Sequence, residues 1–192
     1  FRRALDIYPE NAETHWNLAQ VLLLQGRLRE GWPEYDWRTK CSDFRSMIWN
    51  VDGPRWDGGD LQGKTILLYA EQGLGDQILY ASLLPLIAGR APELTLETET
   101  RLVPLFARSF PAATIVPKPI PQPLEAECST REIDVQTALA SLPRFVRQNL
   151  ESFPQNDGYL TPNPERITFW RQRFGQLRRS LKVGISWYGG KD

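Results

Sequence analysis

Glu71-Gln-Gly-Leu-Gly-Asp-Gln77 brings two carboxylates, two amides and two closely spaced glycines into seven residues, a set suited to holding a polar ligand and moving a proton. Glycines let a chain reverse tightly and let a ligand approach the backbone. Asp76 has two roles open to it. It is placed to cap a following helix by accepting a bond from the first free N–H groups, or to take a proton from a hydroxyl within hydrogen-bond reach. A phosphate-binding P-loop needs Lys-Ser/Thr after its last glycine, and Asp76-Gln77 stands there instead. A dinucleotide fingerprint needs a third glycine where Ile78 stands. Glu97 lies about 20 residues on, where a ribose-binding acid belongs, so an NAD-linked oxidoreductase stays open as an alternative.

The elements that position this turn follow from hydrophobic patterning. Residues 66–70 form a short uninterrupted apolar run, as expected of a strand covered on both faces of a parallel sheet. After the turn, Ile78, Leu79, Ala81, Leu83, Leu84, Leu86 and Ile87 are dense enough to predict a largely covered helix. The turn then sits at the carboxyl end of a parallel strand, where open α/β sheets bind ligands. The alternation continues with a strand at 94–98, a helix at 100–109 and a strand at 114–116. Pro117, Pro119, Pro121 and Pro123 interrupt regular structure. A strand at 132–136, a loop or helical turn at 137–142, a helix at 164–177 and an apolar strand at 181–187 complete an α/β reading. Residues 144–160 give no clear pattern. The helix at 164–177 carries a stripe of Ile167, Trp170, Phe174 and Leu177. In the stretch 41–63, Trp49, Gly53, Pro54, Trp56, Gly58, Gly59 and Gly63 describe a turn-forming connector, too aromatic for a disordered linker. Packing onto the sheet is the expected fate of its tryptophans, ahead of stacking on a sugar.

Composition narrows the function. With 23 basic and 23 acidic residues among 192, the formal net charge is zero, which argues against a nucleic-acid footprint over the whole molecule. The basic residues Arg166, Arg171, Arg173, Arg178, Arg179 and Lys182 recur around a helix and read as a solvated face. Cys41 and Cys128 lie far apart with only His15 as a possible partner, which gives neither a zinc site nor a disulfide framework and suits a reducing cytoplasm. No run approaches the roughly 18 apolar residues of a membrane helix, and the first residues have no signal-peptide h-region. The chain starts inside a helical pattern, so it is expected to be a fragment.

The amino-terminal residues carry a repeat. Asn11 supplies a helix start, Leu18, Val21, Leu22 and Leu24 an apolar stripe, and Gly26 a stop; residues 28–37 restart a helix, with Pro33 expected in its first turn. Phe1 and Tyr35 are spaced by about 34 residues, the tetratricopeptide period. Ala4 and Pro9 fit the tail of one such repeat, and His15, Leu18, Ala19, Leu22, Gly26, Gly31 and Tyr35 fit the next. Residues 1–40 therefore resemble the end of a tetratricopeptide array. Arg38 replaces the small residue that Ala4 supplies one period earlier, and the array stops there. Such a pair cannot bury its face alone and must stack on its neighbours, as a structural cap or as part of a partner-binding surface.

Five further segments, Trp56-Asp-Gly, Leu61-Gln-Gly-Lys-Thr-Ile-Leu-Leu, the Glu71–Gln77 turn, Ser141-Leu-Pro and Val183-Gly-Ile-Ser-Trp, resemble bacterial tetratricopeptide-repeat proteins with a heptosyltransferase-like glycosyltransferase domain of the GT-B type. The resemblance implies a Rossmann-like acceptor-side domain at 64–180 after the repeat end (1–40) and connector (41–63), with a donor-binding domain beginning at 181–192. It implies transfer of a sugar from a nucleotide-sugar donor to a saccharide or protein hydroxyl, with inversion, without a metal and without a cofactor beyond the co-substrate. It gives Asp76 the part of general base and puts Glu71, Gln72, Gly73, Gly75 and Gln77 at the acceptor. Ser186, Trp187, Gly189 and Gly190 fall on the donor side, and Lys191 has no assignable counterpart. The fragment alone is expected to be inactive. A rival reading is a tetratricopeptide scaffold whose α/β part has lost its chemistry.

Overall fold

The structure is a computed structural model that describes residues 1–42, 44, 53–118, 133–153, 158–177 and 181–185. It divides into two compact units, Phe1–Thr161 and Pro162–Asp192.

The first unit opens with helices α1 (Arg2–Ile7), α2 (Ala12–Leu24) and α3 (Leu28–Tyr35), followed by a 3-10 turn at Asp36–Lys40. Asn11 caps α2, its side chain accepting a bond from the Thr14 N–H at 2.8 Å. The helix ends as its glycine predicts. Gly26 adopts φ +73°, the Arg27 N–H bonds Leu22 O at 2.9 Å and the Gly26 N–H bonds Leu23 O at 3.0 Å, a Schellman closure. Leu18, Ala19 and Leu22 form the buried face, whereas Val21 and Leu24 of the expected stripe point outward, being a third to a half turn away around the helix.

At Gly31, α3 lies close against α2. A Cβ there would lie 2.7 Å from Leu23 Cδ2 and 3.2 Å from the Leu23 backbone nitrogen. Gly31→Val is therefore expected to destabilise the protein by about 1–3 kcal/mol through overpacking, read by urea denaturation; an unchanged midpoint would show that the helices have room to part. Pro33 departs from expectation, since it is the sixth residue of α3 and not in its first turn. Both Pro33 and Arg29, whose carbonyl it leaves without an intrahelical partner, lie at the surface where water can bond.

The sheet has four parallel strands, β1 (Thr65–Tyr69), β2 (Glu93–Thr98), β3 (Thr114–Pro117) and β4 (Val135–Ala138), in the order β3-β2-β1-β4. Ile66, Leu67 and Leu68 of the central strand are buried, as a strand covered on both faces requires. Strand β4 begins later than the expected 132–136 and takes in Thr137 and Ala138, because its register with β1 continues to the Tyr69–Ala138 pair. The expected single covered helix after the turn is instead two short ones, α4 (Leu74–Ala81) and α5 (Leu84–Ala88). Pro85 lacks an N–H and ends the α4 ladder. Ala81, Leu83, Leu84 and Ile87 are buried, while Leu79 and Leu86 remain exposed because each short helix turns one face outward.

Helix α6 (Val103–Ser109) joins β2 to β3, and α7 (Pro143–Val146) follows β4. In the connector, Trp56 is buried: its indole N–H donates to Gly59 O at 2.9 Å and its ring lies 4.7 Å from that of Phe145. Trp49 lies outside the described residues.

The second unit contains α8 (Pro164–Gly175), capped by Asn163, whose side chain accepts from the Arg166 N–H at 3.0 Å. Trp170, Phe174 and Leu177 of its stripe are exposed. Residues 181–185 do not form the predicted strand. Leu181 is 90% exposed and Val183 and Ile185 are also exposed, since no neighbouring strand among the described residues pairs with them.

Candidate functional site

The glycine-rich turn does lie at the carboxyl end of β1, tied to β2 by the Ala70 N–H donating to Glu97 O at 3.0 Å. Helix α4 starts at Leu74 with Gly73 as its N-cap and no side-chain cap bond. Asp76 is thus the third helical residue and not the cap, which corrects the capping expectation. Neither Gly73 nor Gly75 takes a positive φ, so the reversal does not require them. What they provide is room. A Cβ on Gly75 would meet nothing within 4 Å, and one on Gly73 would sit 3.5 Å from Asp76 Oδ2. The Asp76 carboxylate is half-buried and has no hydrogen-bond partner among the described residues.

The other predicted acceptor residues are occupied by the protein. Gln77 is buried and clamps the turn: its Nε2 donates to Gln72 O at 2.7 Å, and its Oε1 accepts from Thr98 Oγ1 at 2.7 Å and from the Glu99 N–H at 3.0 Å. Gln72 Nε2 donates to Tyr35 Oη at 2.9 Å, and Tyr80 Oη donates to the same oxygen at 3.1 Å. Burial, together with this neighbour, pushes the Tyr80 phenol well above its usual range. Glu71 is only 3% exposed, and its Oε1 accepts from Arg38 Nη2 at 2.6 Å.

Arg38 organises this region. It is fully buried, and besides Glu71 its Nη2 donates to Ser141 Oγ at 3.0 Å, while Nη1 donates to Tyr35 O and Asp36 Oδ1, both at 3.2 Å. Burial is the largest single influence and works against its charge, but Glu71, Tyr35 and Asp36 together hold the guanidinium pKa above its ordinary value. The sequence did carry a signal for it, a cation where the repeat asks for a small residue. Its partner 33 residues away was not visible there.

The strand order reverses between β1 and β4, and a cavity of about 260 Å³ opens at the carboxyl ends of these two strands. Tyr69, Thr137 and Ala138 line it from the sheet, Arg55 from the connector, and Asp36 and Thr39 from the 3-10 turn after α3. Asp36 is anchored by Ser141 Oγ at 2.7 Å and Arg144 Nη1 at 2.9 Å. Patterning along the chain gave no sign of this cavity, whose walls come from segments about a hundred residues apart. Ser186, Trp187, Gly189 and Gly190 lie outside the described residues.

Gly75 offers a test of the turn. Gly75→Ala adds a helix-favouring residue in open space and is expected to stabilise the protein by up to about 1 kcal/mol in a thermal melt. If a ligand approaches this backbone, the same methyl weakens its binding, so stability and affinity move in opposite directions.

The molecule is thus an α/β protein built on a four-stranded parallel sheet, with an amino-terminal helical segment in the same compact unit. Its sequence is 32% identical over 179 residues to Protein FlbA of Caulobacter vibrioides, a match that covers 88% of this chain. The chain spans 30% of the length of that relative. No protein-family model and no solved structure matches it. Among the described residues no helix is long and apolar enough to cross a membrane.

Proposed function

We propose that the chain is the acceptor-side part of a cytoplasmic, GT-B type glycosyltransferase of the heptosyltransferase-like kind, preceded by the end of a tetratricopeptide array. One observation carries the reading. Asp76 keeps a carboxylate without a hydrogen-bond partner among the described residues, beside an open backbone at Gly75, while Glu71, Gln72 and Gln77 around it are all bonded. The motifs that resemble the glycosyltransferase family support it. In the proposed reaction Asp76 takes the proton of an acceptor hydroxyl as that oxygen attacks C1 of the donor sugar. The bond from C1 to the nucleoside diphosphate breaks, and the diphosphate leaves with the electron pair. A single displacement of this kind inverts the anomeric centre. The donor diphosphate is held by backbone N–H groups and cations of the donor side, where Ser186, Trp187, Gly189 and Gly190 belong.

The test uses the full-length protein with nucleotide-sugar donors and candidate acceptors. Acceptor-dependent release of nucleoside diphosphate, an inverted product anomer and a rate unchanged by EDTA are expected; a retained anomer would overturn the single displacement, and no acceptor-dependent release would overturn the transfer reading. The scaffold reading draws on the same hydrogen bonds, which show most of the turn's polar groups holding the fold together. It predicts partner capture by the helical array with no turnover of any donor. An NAD-linked enzyme predicts that the chain itself binds NAD, which calorimetric titration decides.

A further inference from the structure

We infer that the cavity between the carboxyl ends of β1 and β4 is a saccharide subsite that takes a neutral, hydroxyl-rich group of about one sugar ring; the choice of a sugar rests on the transfer reading, but the site itself does not. Tyr69 is 2% exposed and Thr137 6% exposed, yet the hydroxyl of each has no hydrogen-bond partner among the described residues. Both oxygens are reached from the cavity and are not sealed in the core, so a ligand entering it finds two hydroxyls that no protein group already occupies. The Arg55 guanidinium at the same cavity also has no such partner, although Arg144 beside it is held by Asp36.

Charge and size narrow the ligand. Two guanidiniums, Arg55 and Arg144, face two carboxylates, Asp36 and Asp57, around the cavity. An anion therefore gains no net attraction, whereas a polyol finds both donors and acceptors. A volume of about 260 Å³ falls below the roughly 300–1,000 Å³ of sites for drug-sized ligands, which suits one ring and not a nucleotide. Trp56 and Phe145 supply apolar wall for the carbon face of a ring. The site also lies at the reversal of strand order, where open α/β sheets bind ligands. Since Asp36 and Thr39 come from the 3-10 turn after α3, the helical segment is part of this site and not only a cap on the sheet. Asp76 does not line it.

The experiment titrates the 192-residue chain with methyl glycosides of neutral hexoses and N-acetylhexosamines, with hexuronic acids and hexose 6-phosphates as charged controls, followed by saturation-transfer NMR and calorimetry. Saturable millimolar binding of a neutral glycoside is expected, weakened at least tenfold in Arg55→Ala and in Thr137→Val with the circular dichroism spectrum unchanged. Arg55 is exposed, so its variant stays interpretable if Thr137→Val fails to fold. Binding of charged probes only, binding of none, or full affinity in Arg55→Ala overturns the proposal. Transfer that persists without glycoside binding sinks the subsite alone, and binding that persists where no transfer occurs sinks the transfer reading alone.

Discussion

Arg38→Met is expected to destabilise the protein by about 3–5 kcal/mol, the usual cost of removing one partner of a buried ion pair. The guanidinium is fully buried and Glu71 nearly so; both Arg38 bonds to the carboxylate land on Oε1, and Oε2 has no hydrogen-bond partner among the described residues. Without Arg38 a carboxylate is left in a low-dielectric interior, and Ser141 and the Tyr35 carbonyl lose a donor. Against a typical total stability of about 5–15 kcal/mol, that is a large fraction. Arg38→Lys recovers little of it, because one ammonium does not reproduce a fork that reaches Glu71, Ser141, Asp36 and Tyr35 together. The discriminating variant is the double substitution Arg38→Met with Glu71→Leu, which removes both charges and is expected to regain most of the loss, as apolar replacements of buried pairs often do. Urea denaturation of the parent, Arg38→Met, Glu71→Leu and the double variant gives the coupling directly. An Arg38→Met protein within about 1 kcal/mol of the parent would mean that the pair is no more than a surface contact in energy.

Arg38 also shows how far the sequence could be read. Local signals carried well: the apolar runs placed β1, β2 and β3 within a residue or so, and Asn11 and Gly26 bounded α2 as their chemistry requires. Signals that depend on a partner carried less well. Where β4 starts and stops is set by its register with β1, which no property of residues 132–138 contains. Residues 181–185 have the apolar pattern of a strand, but a strand exists only against a neighbour. Asp76 looked like a helix cap because Asp is a good one, yet the backbone turned into the helix at Gly73, three residues earlier than that role needs. The β1/β4 cavity was the least legible feature. Its wall joins Asp36 to Ser141 and Arg144 through bonds spanning more than a hundred residues, and each of these side chains taken singly is an ordinary polar residue.

Asp76→Asn carries the largest effect expected on activity. A positioned general base contributes about 10²–10⁴-fold to rate, so kcat of the full-length protein should fall by that factor with KM for the acceptor changed only a few-fold. The amide matches the carboxylate in shape and still fits beside Gly73, but it does not accept the proton of an attacking hydroxyl. Its structural cost is small, because the carboxylate has no hydrogen bond to lose among the described residues and its attraction to the α4 N-terminus is worth only about 0.3–1 kcal/mol. Measuring stability beside rate separates the two roles that a carboxylate in a first helical turn can play. A variant that melts with the parent but has lost transfer identifies the base. A variant that keeps the full transfer rate shows that Asp76 only favours the helix. In that case the search for the base moves away from the turn, since Glu71 is buried and held by Arg38 in the ion pair that ties the helical segment to the sheet.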